Sequence, residues 1–244
     1  MKAAVGNRPG LVVALPQEAK ALAGRRWQME DGRPVCRSTT KGRRELLWVQ
    51  SGVGAKRALE AARWLIRQKV TSLAVLGVSG GLAPGLNCGQ LIVADTVLNE
   101  LGSAVATCTG TGELLKSLRG LGLVPVTGPV MTVSEPVLDT EEKRRLHETT
   151  GALAVDMESA AVARVAADAG LNCLVLRAVC DGPCRRVHPA LFRMLNEEGR
   201  LKIPVLVKEL LRNPGLVFDL LTARRDFAMA LTALKRAKDI LGRG

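Results

Sequence analysis

The stretch LAVLGVSGG at residues 73–81 indicates the fold class of this chain. Its opening apolar run is typical of a strand that is buried on both faces of a sheet. Just before it, residues 55–69 (AKRALEAARWLIRQK) place apolar side chains three and four positions apart, which predicts an amphipathic helix. Residues 78–81 end in two adjacent glycines, and we expect them to form a turn after the strand. Together these features favour an α/β fold.

The same alternation continues along the chain. Strands are predicted at residues 10–15, 45–50, 90–97, 128–133, 153–155 and 173–179, and helices at residues 17–23, 113–121, 140–149 and 159–169. Thr140 precedes two glutamates and is the expected N-cap of its helix. Strands that alternate with amphipathic helices predict helical layers around a mostly parallel or mixed sheet.

The C-terminal part of the chain differs from the rest in composition. It is predicted to be helical, it is rich in Lys and Arg, and it is interrupted by Pro204 and Pro214. We therefore expect a main domain at residues 1–190 and a helical extension at residues 191–244. The extension is expected either to pack on the core or to face a membrane, and the sequence leaves both arrangements open.

Composition and charge narrow the classes of partner. The 244 residues include 35 Lys and Arg against 23 Asp and Glu, a net charge of +12 that favours anionic partners. Single-stranded nucleic acid is bound by aromatic side chains interleaved with basic ones. Since the chain has three Trp, three Phe and no Tyr, no nucleic-acid partner is expected. A module that mainly binds membranes stays open as a further alternative.

The cysteines and the N-terminus bear on location and metal binding. Residues 1–9 form a short, polar segment, so no secretory signal is expected. The cysteines are therefore expected to be free thiols in the cytoplasm. Cys180, Cys184 and His188 lack the spacing of a zinc site and have no evident fourth ligand. Residues 70–94 carry no charge, but their glycines favour two buried strands over a membrane span.

Candidate chemistry lies where predicted strands end, because ligands of open α/β sheets bind there. Asp181 follows an apolar strand directly, and such an acid is either catalytic or a loop cap. Glu158 opens an alanine-rich helix, where a buried carboxylate would accept hydrogen bonds from sugar hydroxyls. Asp156 is better interpreted as a complement to the helix dipole. The glycine turns at residues 51–54 and 78–81 are either ligand contacts or tight turns.

Four short sequence motifs together resemble those of a known family. They are SGVG at 51–54, GVSGGLAPGL at 77–86, VDMESAAVA at 155–163 and RAVCD at 177–181. In this order they resemble the purine nucleoside phosphorylase and nucleosidase superfamily, and most closely its methylthioadenosine/S-adenosylhomocysteine nucleosidases. The proline-interrupted basic tail is similar to that of members associated with hopanoid biosynthesis, which act on adenosylhopane.

The resemblance implies a three-layer αβα sandwich around a twisted mixed sheet, and cleavage of an N-glycosidic bond without metal or organic cofactor. By its motifs, Asp181 falls on the acid that protonates the purine at N7, and Glu18 on the acid that activates water. Glu158 falls on the carboxylate that binds the ribose hydroxyls. The remaining substrate contacts are expected at Met157, Val137, Leu138, Val78, Ser79 and Gly80.

The chain departs from the family pattern at several positions. Cys180 stands where a serine usually precedes the acid, and Val137 stands where an aromatic residue usually stacks on the base. Residues 99–111 form a shorter segment without the usual His-Asp pair. The 5′ side of the site is therefore expected to be open, which would suit a bulky lipid substituent.

The choice between water and phosphate as the nucleophile rests on arginines. Phosphorylases of this superfamily place arginines where this chain has Val75 and the stretch PQEAK at 16–20. We therefore predict adenine release by hydrolysis, with adenosylhopane as the expected substrate and ribosylhopane as the product. The alternatives are a phosphorolytic enzyme and a methylthioadenosine/S-adenosylhomocysteine nucleosidase. A cytoplasmic homo-oligomer is expected, with a dimer favoured and peripheral membrane contact through the tail.

Overall fold

The computed structural model describes residues 8–40 and 44–240. The interpretation of the N-terminus as free of a signal concerns residues that lie mostly outside this range. The strands are β1 (Pro9–Val13), β2 (Gln28–Glu30), β3 (Arg33–Thr39), β4 (Glu45–Gln50), β5 (Ser72–Gly81), β6 (Leu91–Leu98), β7 (Ala104–Thr107), β8 (Val126–Thr132), β9 (Ala154–Asp156) and β10 (Asn172–Asp181). The helices are α1 (Pro16–Ala23), α2 (Ala55–Arg67), α3 (Thr111–Gly120), α4 (Thr140–Thr150), α5 (Ser159–Asp168), α6 (Ala190–Arg193), α7 (Ile203–Arg212) and α8 (Leu216–Ala237).

One mixed sheet contains all these strands, which confirms the predicted sheet type. Its central strand is β5, which runs parallel to β1 on one side and parallel to β10 on the other. Beyond the end of β1, the last two residues of β5 pair with the antiparallel strand β9. Because β1, β5 and β10 are parallel, their carboxyl ends lie at the same edge of the sheet.

Strand β5 corrects the expected turn at residues 78–81. The strand continues through Gly81, because Gly80 and Gly81 pair with Val155 and Ala154 of β9. These pairings give the glycine backbone the hydrogen-bond partners that a buried strand requires. The sequence did not predict β2, β3 or β7. They are short or partly exposed and have no uninterrupted apolar run.

Helices cover both faces of the sheet, as the expected sandwich requires. Helices α2 and α5 pack on one face, and α1, α3 and the second half of α8 pack on the other. In β1, Val12 points to the first face, and Leu11 and Val13 to the second, so alternate side chains of the strand are buried in different clusters. The sheet is therefore buried on both sides.

Helix α4 corrects the expected N-cap. Asp139, not Thr140, is the cap, since its side chain accepts a hydrogen bond from the Glu141 N–H at 2.9 Å. Aspartate in this position satisfies an amide that the helix itself leaves unpaired.

Among the described helices, none combines the length and the apolar character that a membrane span needs.

Candidate active site

The sheet edge at the ends of β1, β5 and β10 gathers the candidate acids. Glu18 lies in the first turn of α1, just after β1. Glu158 follows β9 at the start of α5, and Asp181 is the last residue of β10. Three acids that are far apart in sequence are thus brought to one region of the sheet.

Glu18 links the residues that follow β1 to strand β5. One oxygen of its carboxylate accepts hydrogen bonds from the N–H groups of Ala14 at 3.1 Å and Leu15 at 2.8 Å, and the other accepts from Val78 at 2.7 Å. The residue is only 1% exposed. Burial raises the pKa of Glu18, while the hydrogen bonds from Leu15 and Val78 oppose that rise. Such a carboxylate is suited to accept a proton.

Arg177 joins the acids of this edge. Its buried guanidinium lies 2.7 Å from Asp156 and 3.6 Å from Glu158, and it donates to the Ser159 hydroxyl at 3.0 Å. It also acts electrostatically on Glu18. One cation therefore faces three buried carboxylates. The sequence signal for this role is a lone arginine within the otherwise apolar strand CLVLRAV.

Glu158 is held by the glycine turn that follows β4. Its Oε1 accepts a hydrogen bond from the Gly54 N–H at 2.9 Å, and Gly54 has a φ of 99°, a conformation that favours glycine. Burial raises the pKa of Glu158 to about 7, against the lowering by Arg177. The turn at residues 51–54 therefore contacts a site residue.

Asp156 has a larger role than the expected complement to the helix dipole. It accepts a hydrogen bond from the Ser159 N–H at 3.1 Å, which agrees with that expectation. It also accepts one from the Thr132 hydroxyl at 2.7 Å and pairs with Arg177. The dipole interpretation was thus incomplete, because pairing between strands cannot be seen in a single segment of sequence.

Asp181 lies beside Gly80, its register partner on β5. A Cβ atom on Gly80 would be 3.3 Å from Oδ2 of Asp181 and 3.2 Å from the Val155 side chain. The Asp181 carboxylate is therefore close to the strand that leads to Glu158. The Cys180 thiol donates to Oδ1 of Asp181 at 3.2 Å, and burial raises the pKa of this thiol, which keeps it protonated.

Lys143 contacts Asp181 directly and was missed by the sequence analysis. Its Nζ lies 2.5 Å from Oδ2 of Asp181, and its side chain is fully buried. Burial raises the pKa of Asp181, and Lys143 opposes this. The helix TEEKRRLHETT offers no signal for a buried lysine, because nearly every position in it is polar.

The other predicted contacts lie around the same strands. Ser79 is buried, and its hydroxyl has no hydrogen-bond partner among the described residues. Met157 is half-buried. Val137 is buried in a small apolar cluster with Leu82 and Met131, and the Leu138 carbonyl accepts from the Val187 N–H at 2.9 Å.

A cavity of about 410 Å³ opens at the opposite edge of the sheet. The first residues of three strands, Pro9, Ser72 and Asn172, line it. Because none of the three acids described above lines this cavity, the candidate chemistry lies at the other edge.

Comparisons with known proteins agree with this architecture. The profile of the phosphorylase superfamily matches residues 8–201. A 5′-methylthioadenosine/S-adenosylhomocysteine nucleosidase from Helicobacter pylori, solved with butyl-thio-DADMe-Immucillin-A, is similar with a TM-score of 0.72 and 19% identity, over 97% of this chain and 99% of that chain. The futalosine hydrolase of Helicobacter pylori strain 26695 is similar with a TM-score of 0.73 and 19% identity, over 98% of both chains.

A third similar structure is the 5′-methylthioadenosine/S-adenosylhomocysteine nucleosidase from Neisseria meningitidis in complex with methylthio-immucillin-A. Its TM-score is 0.73 and its identity 15%, over 98% of this chain and 100% of that chain. At such identities the likeness shows the fold. No curated protein matches this chain in a sequence comparison.

The family match defines the class of protein, and the similar solved structures share its fold. The chain belongs to the phosphorylase superfamily, whose profile spans most of its length. The resemblance inferred from the four sequence motifs is thereby confirmed at the level of the superfamily. The association with hopanoid biosynthesis stays a prediction.

Proposed function

We propose that this enzyme cleaves the N-glycosidic bond of an adenine nucleoside and releases adenine. Asp181 is the general acid that protonates the base at N7, Glu18 activates the attacking water, and Glu158 binds the ribose hydroxyls. The observation that carries the proposal is the convergence of these three buried acids at one sheet edge, where burial raises the pKa of each.

The chemistry requires acids with different tasks. Adenine leaves poorly as an anion, so a proton donated to N7 lowers the barrier. The ribose then develops oxocarbenium charge, which an ionised Glu158 would stabilise electrostatically. A carboxylate on the far side of the sugar readies a water, as in other glycoside hydrolyses. Met157 directly precedes Glu158 in the chain, and Ser79 directly precedes Gly80, the register partner of Asp181, so both residues are placed to complete the binding surface.

The position of Glu18 supports water over phosphate as the nucleophile. Backbone N–H groups at a strand exit are ready-made donors for an anion. Here the Glu18 carboxylate already accepts hydrogen bonds from Ala14, Leu15 and Val78. A phosphate in the same place would meet negative charge and find these donors occupied.

The test is adenine release followed by chromatography, with and without phosphate. Adenosine, methylthioadenosine and adenosylhopane serve as substrates. We expect release of adenine at the same rate without phosphate, and a free sugar as the second product. Strict dependence on phosphate, with a sugar-1-phosphate product, would contradict the hydrolase assignment.

An apolar surface of α7 and α8 supports a lipid-linked substrate. We define the C-terminal apolar face as Ile203, Val207, Leu211, Val217, Phe218 and Leu221. The three residues on α7 are spaced by four, so they form one stripe along the helix. Leu211 is 79% exposed and Phe218 is 74% exposed. Patches of this kind on a soluble protein mark a partner surface.

The C-terminal apolar face is connected to the candidate site. The other side of α7 packs on Met194, which lies shortly after β10 in the chain. On α8, Asp226 pairs with Arg185, four residues after Asp181. Exposed basic residues, including Lys208 and Arg212, flank the apolar stripe and complement an anionic surface.

We therefore propose that residues 191–244 are an extension of a catalytic domain at 1–190, and that its apolar face contacts an anionic membrane. There the cytoplasmic enzyme would meet a nucleoside with a lipid at the 5′ position, with adenosylhopane as the candidate. A homodimer through this face is the competing occupant, and the vesicle experiment separates the two.

Vesicle flotation tests the membrane contact with the full chain. The variant Ile203→Ser/Val207→Ser/Leu211→Ser should lose binding to vesicles of phosphatidylglycerol and phosphatidylcholine. The matched control is Leu101→Ser/Val124→Ser, which changes residues that are 88% and 80% exposed elsewhere on the protein. If the triple variant floats like the wild type, or if it only converts a dimer to a monomer, the membrane proposal is wrong.

A further inference from the structure

Lys143 occupies a position that is costly for a lysine. Its side chain is fully buried, and lysine is almost never buried unless its charge is compensated. Helix α4 presents its other charged residues, such as Arg144 and Glu148, to solvent, where they pair with each other. The burial of this one cation on the helix therefore needs an explanation.

The ammonium of Lys143 has a complete set of acceptors. Nζ lies 2.5 Å from Oδ2 of Asp181, 3.1 Å from the Gly182 carbonyl and 3.0 Å from the Arg185 carbonyl. A charged ammonium has three N–H donors, and each of the three oxygens can accept one of them. The site thus fits the charged form of the lysine, and it ties α4 to the residues that follow β10.

We propose that Lys143 is a positioning residue for Asp181: its buried ammonium holds the Asp181 carboxyl group at the strand end and stabilises the carboxylate that remains after proton transfer. The inference rests on the proposed function, in which Asp181 is the general acid.

The proton transfer balances in the following way. The O–H bond of Asp181 breaks and an N–H bond forms at N7 of the base, while the electron pair of the glycosidic bond moves onto the base. Asp181 is left as a carboxylate beside the Lys143 ammonium, and solvent returns a proton before the next turnover. Because the ammonium favours the product of the transfer, it makes Asp181 a stronger acid.

Other groups around Asp181 affect its carboxylate without an ion pair in direct contact. Cys180 on β10 donates a hydrogen bond to the carboxylate, and Arg185 in the following loop acts on it at longer range. Arg185 is itself paired with Asp226 on α8. Cys88, between β5 and β6, is a thiol whose pKa is raised by burial. Lys143 is thus the cation in direct contact with the Asp181 side chain among the described residues.

The first test is the pH dependence of kcat for Lys143→Gln. Lys143 offsets part of the rise in the pKa of Asp181 that burial causes, so the pKa rises further when the ammonium is removed. Asp181 acts in its protonated form, so the fall of activity at high pH should move to higher pH, while kcat for adenine release drops. Arg145→Gln, an exposed change on the same helix, is the control and should match the wild type.

A second substrate separates positioning from a merely structural role. An aryl riboside such as 4-nitrophenyl riboside has a leaving group that is stable as an anion and needs no proton. Lys143→Gln should therefore retain turnover of the aryl riboside to within a few fold while it loses adenine release. Equal losses on both substrates, or an unshifted alkaline limb, would overturn the proposal.

A double variant keeps the test decisive if Lys143→Gln does not fold. Asp181→Asn/Lys143→Gln removes both charges of the pair, so no buried charge is left alone. If Lys143 acts through Asp181, the double variant should have the same kcat for adenine release as Asp181→Asn, to within about twofold. A further drop of tenfold or more would overturn the proposal. If Asp181→Asn itself is active, the proposed function fails first.

Discussion

Single buried charges govern the chemistry that this site can perform. Glu158 is 5% exposed, and burial raises its pKa to about 7 even though Arg177 lies within reach. Glu18 is also held in a buried position by three backbone N–H groups. Burial thus favours the protonated form of both acids relative to an exposed carboxyl group, and for Glu158 it brings the pKa close to neutral pH.

The raised pKa of Glu158 predicts a pH dependence. Below about pH 7 Glu158 is protonated, and above it the anion can accept the ribose hydroxyls and stabilise the cation. We expect kcat/KM for adenine release to rise with pH through about 7. Glu158→Gln should lose most activity, and its residual activity should lack this rise. The same rise in the variant would assign it to a different group.

Among isosteric substitutions, we expect the largest loss of activity at Asp181. Asp181→Asn removes the transferable proton and keeps the shape of the side chain, so we expect adenine release to fall by about 10²–10⁴-fold. Thermal unfolding should still show one cooperative transition, at a lower temperature than in the wild type because the buried Lys143 ammonium loses its charged partner. Asp168→Asn, in an exposed pair with Arg164, is the matched control and should be fully active. Near-normal activity of Asp181→Asn would exclude its role as proton donor.

At the scale of elements, strand β5 provides the backbone on which the site is built. It pairs with β1, β9 and β10, and these strands or the loops after them carry Glu18, Glu158 and Asp181. Gly77 lies in this strand where two buried side chains approach its backbone closely. A Cβ atom there would be 2.6 Å from Oε1 of Glu18 and 2.7 Å from Nη1 of Arg177.

Gly77→Ala should therefore damage both stability and activity. Glu18 and Arg177 are each 1% exposed and have no room to retreat, so we expect a loss of about 1–3 kcal/mol in the free energy of unfolding. Adenine release should fall with it. Gly112→Ala in α3 meets no atom within 4 Å and should be neutral or stabilising by up to about 1 kcal/mol. Denaturant unfolding of both variants is the measurement, and an unchanged Gly77→Ala would refute the crowding argument.

Most elements were predictable because each has its own local signal. The strand at residues 45–50 was predicted with its observed bounds, and the helix at 55–69 ends two residues earlier than expected. These segments have uninterrupted apolar runs or regular helical spacing. The glycines at the end of β5 were misinterpreted, because their strand conformation depends on β9, a partner more than 70 residues later in the chain.

At the scale of the whole molecule, the C-terminal helix is part of the core. Ala230, Leu234 and Ala237 on α8 are fully buried in the cluster that covers one face of the sheet. The first half of the same helix carries Phe218 and Leu221, which are exposed. One helix therefore combines packing on the core with an exposed apolar surface.

Leu234→Ala tests whether the extension unfolds together with the rest. Leu234 is completely buried, so we expect a loss of about 2–5 kcal/mol and a single cooperative transition. Leu221→Ala, at a position that is 56% exposed, should change stability by no more than about 0.5 kcal/mol. Calorimetry distinguishes the outcomes. A separate transition that alone responds to Leu234→Ala would show that the extension folds independently of the sheet.

The sequence by itself determined the fold class, the superfamily and the acids of the candidate site. Apolar runs and helical spacing are local properties. The sequence motifs contain Glu158 and Asp181 at fixed positions next to predicted strands. Only the tertiary structure decided the partners of those acids. Lys143 reaches Asp181 across 38 residues of chain, and Gly54 reaches Glu158 across 104. Burial and pairing arise only when distant segments pack together, so a charged residue in a polar helix gives no sign of them in advance.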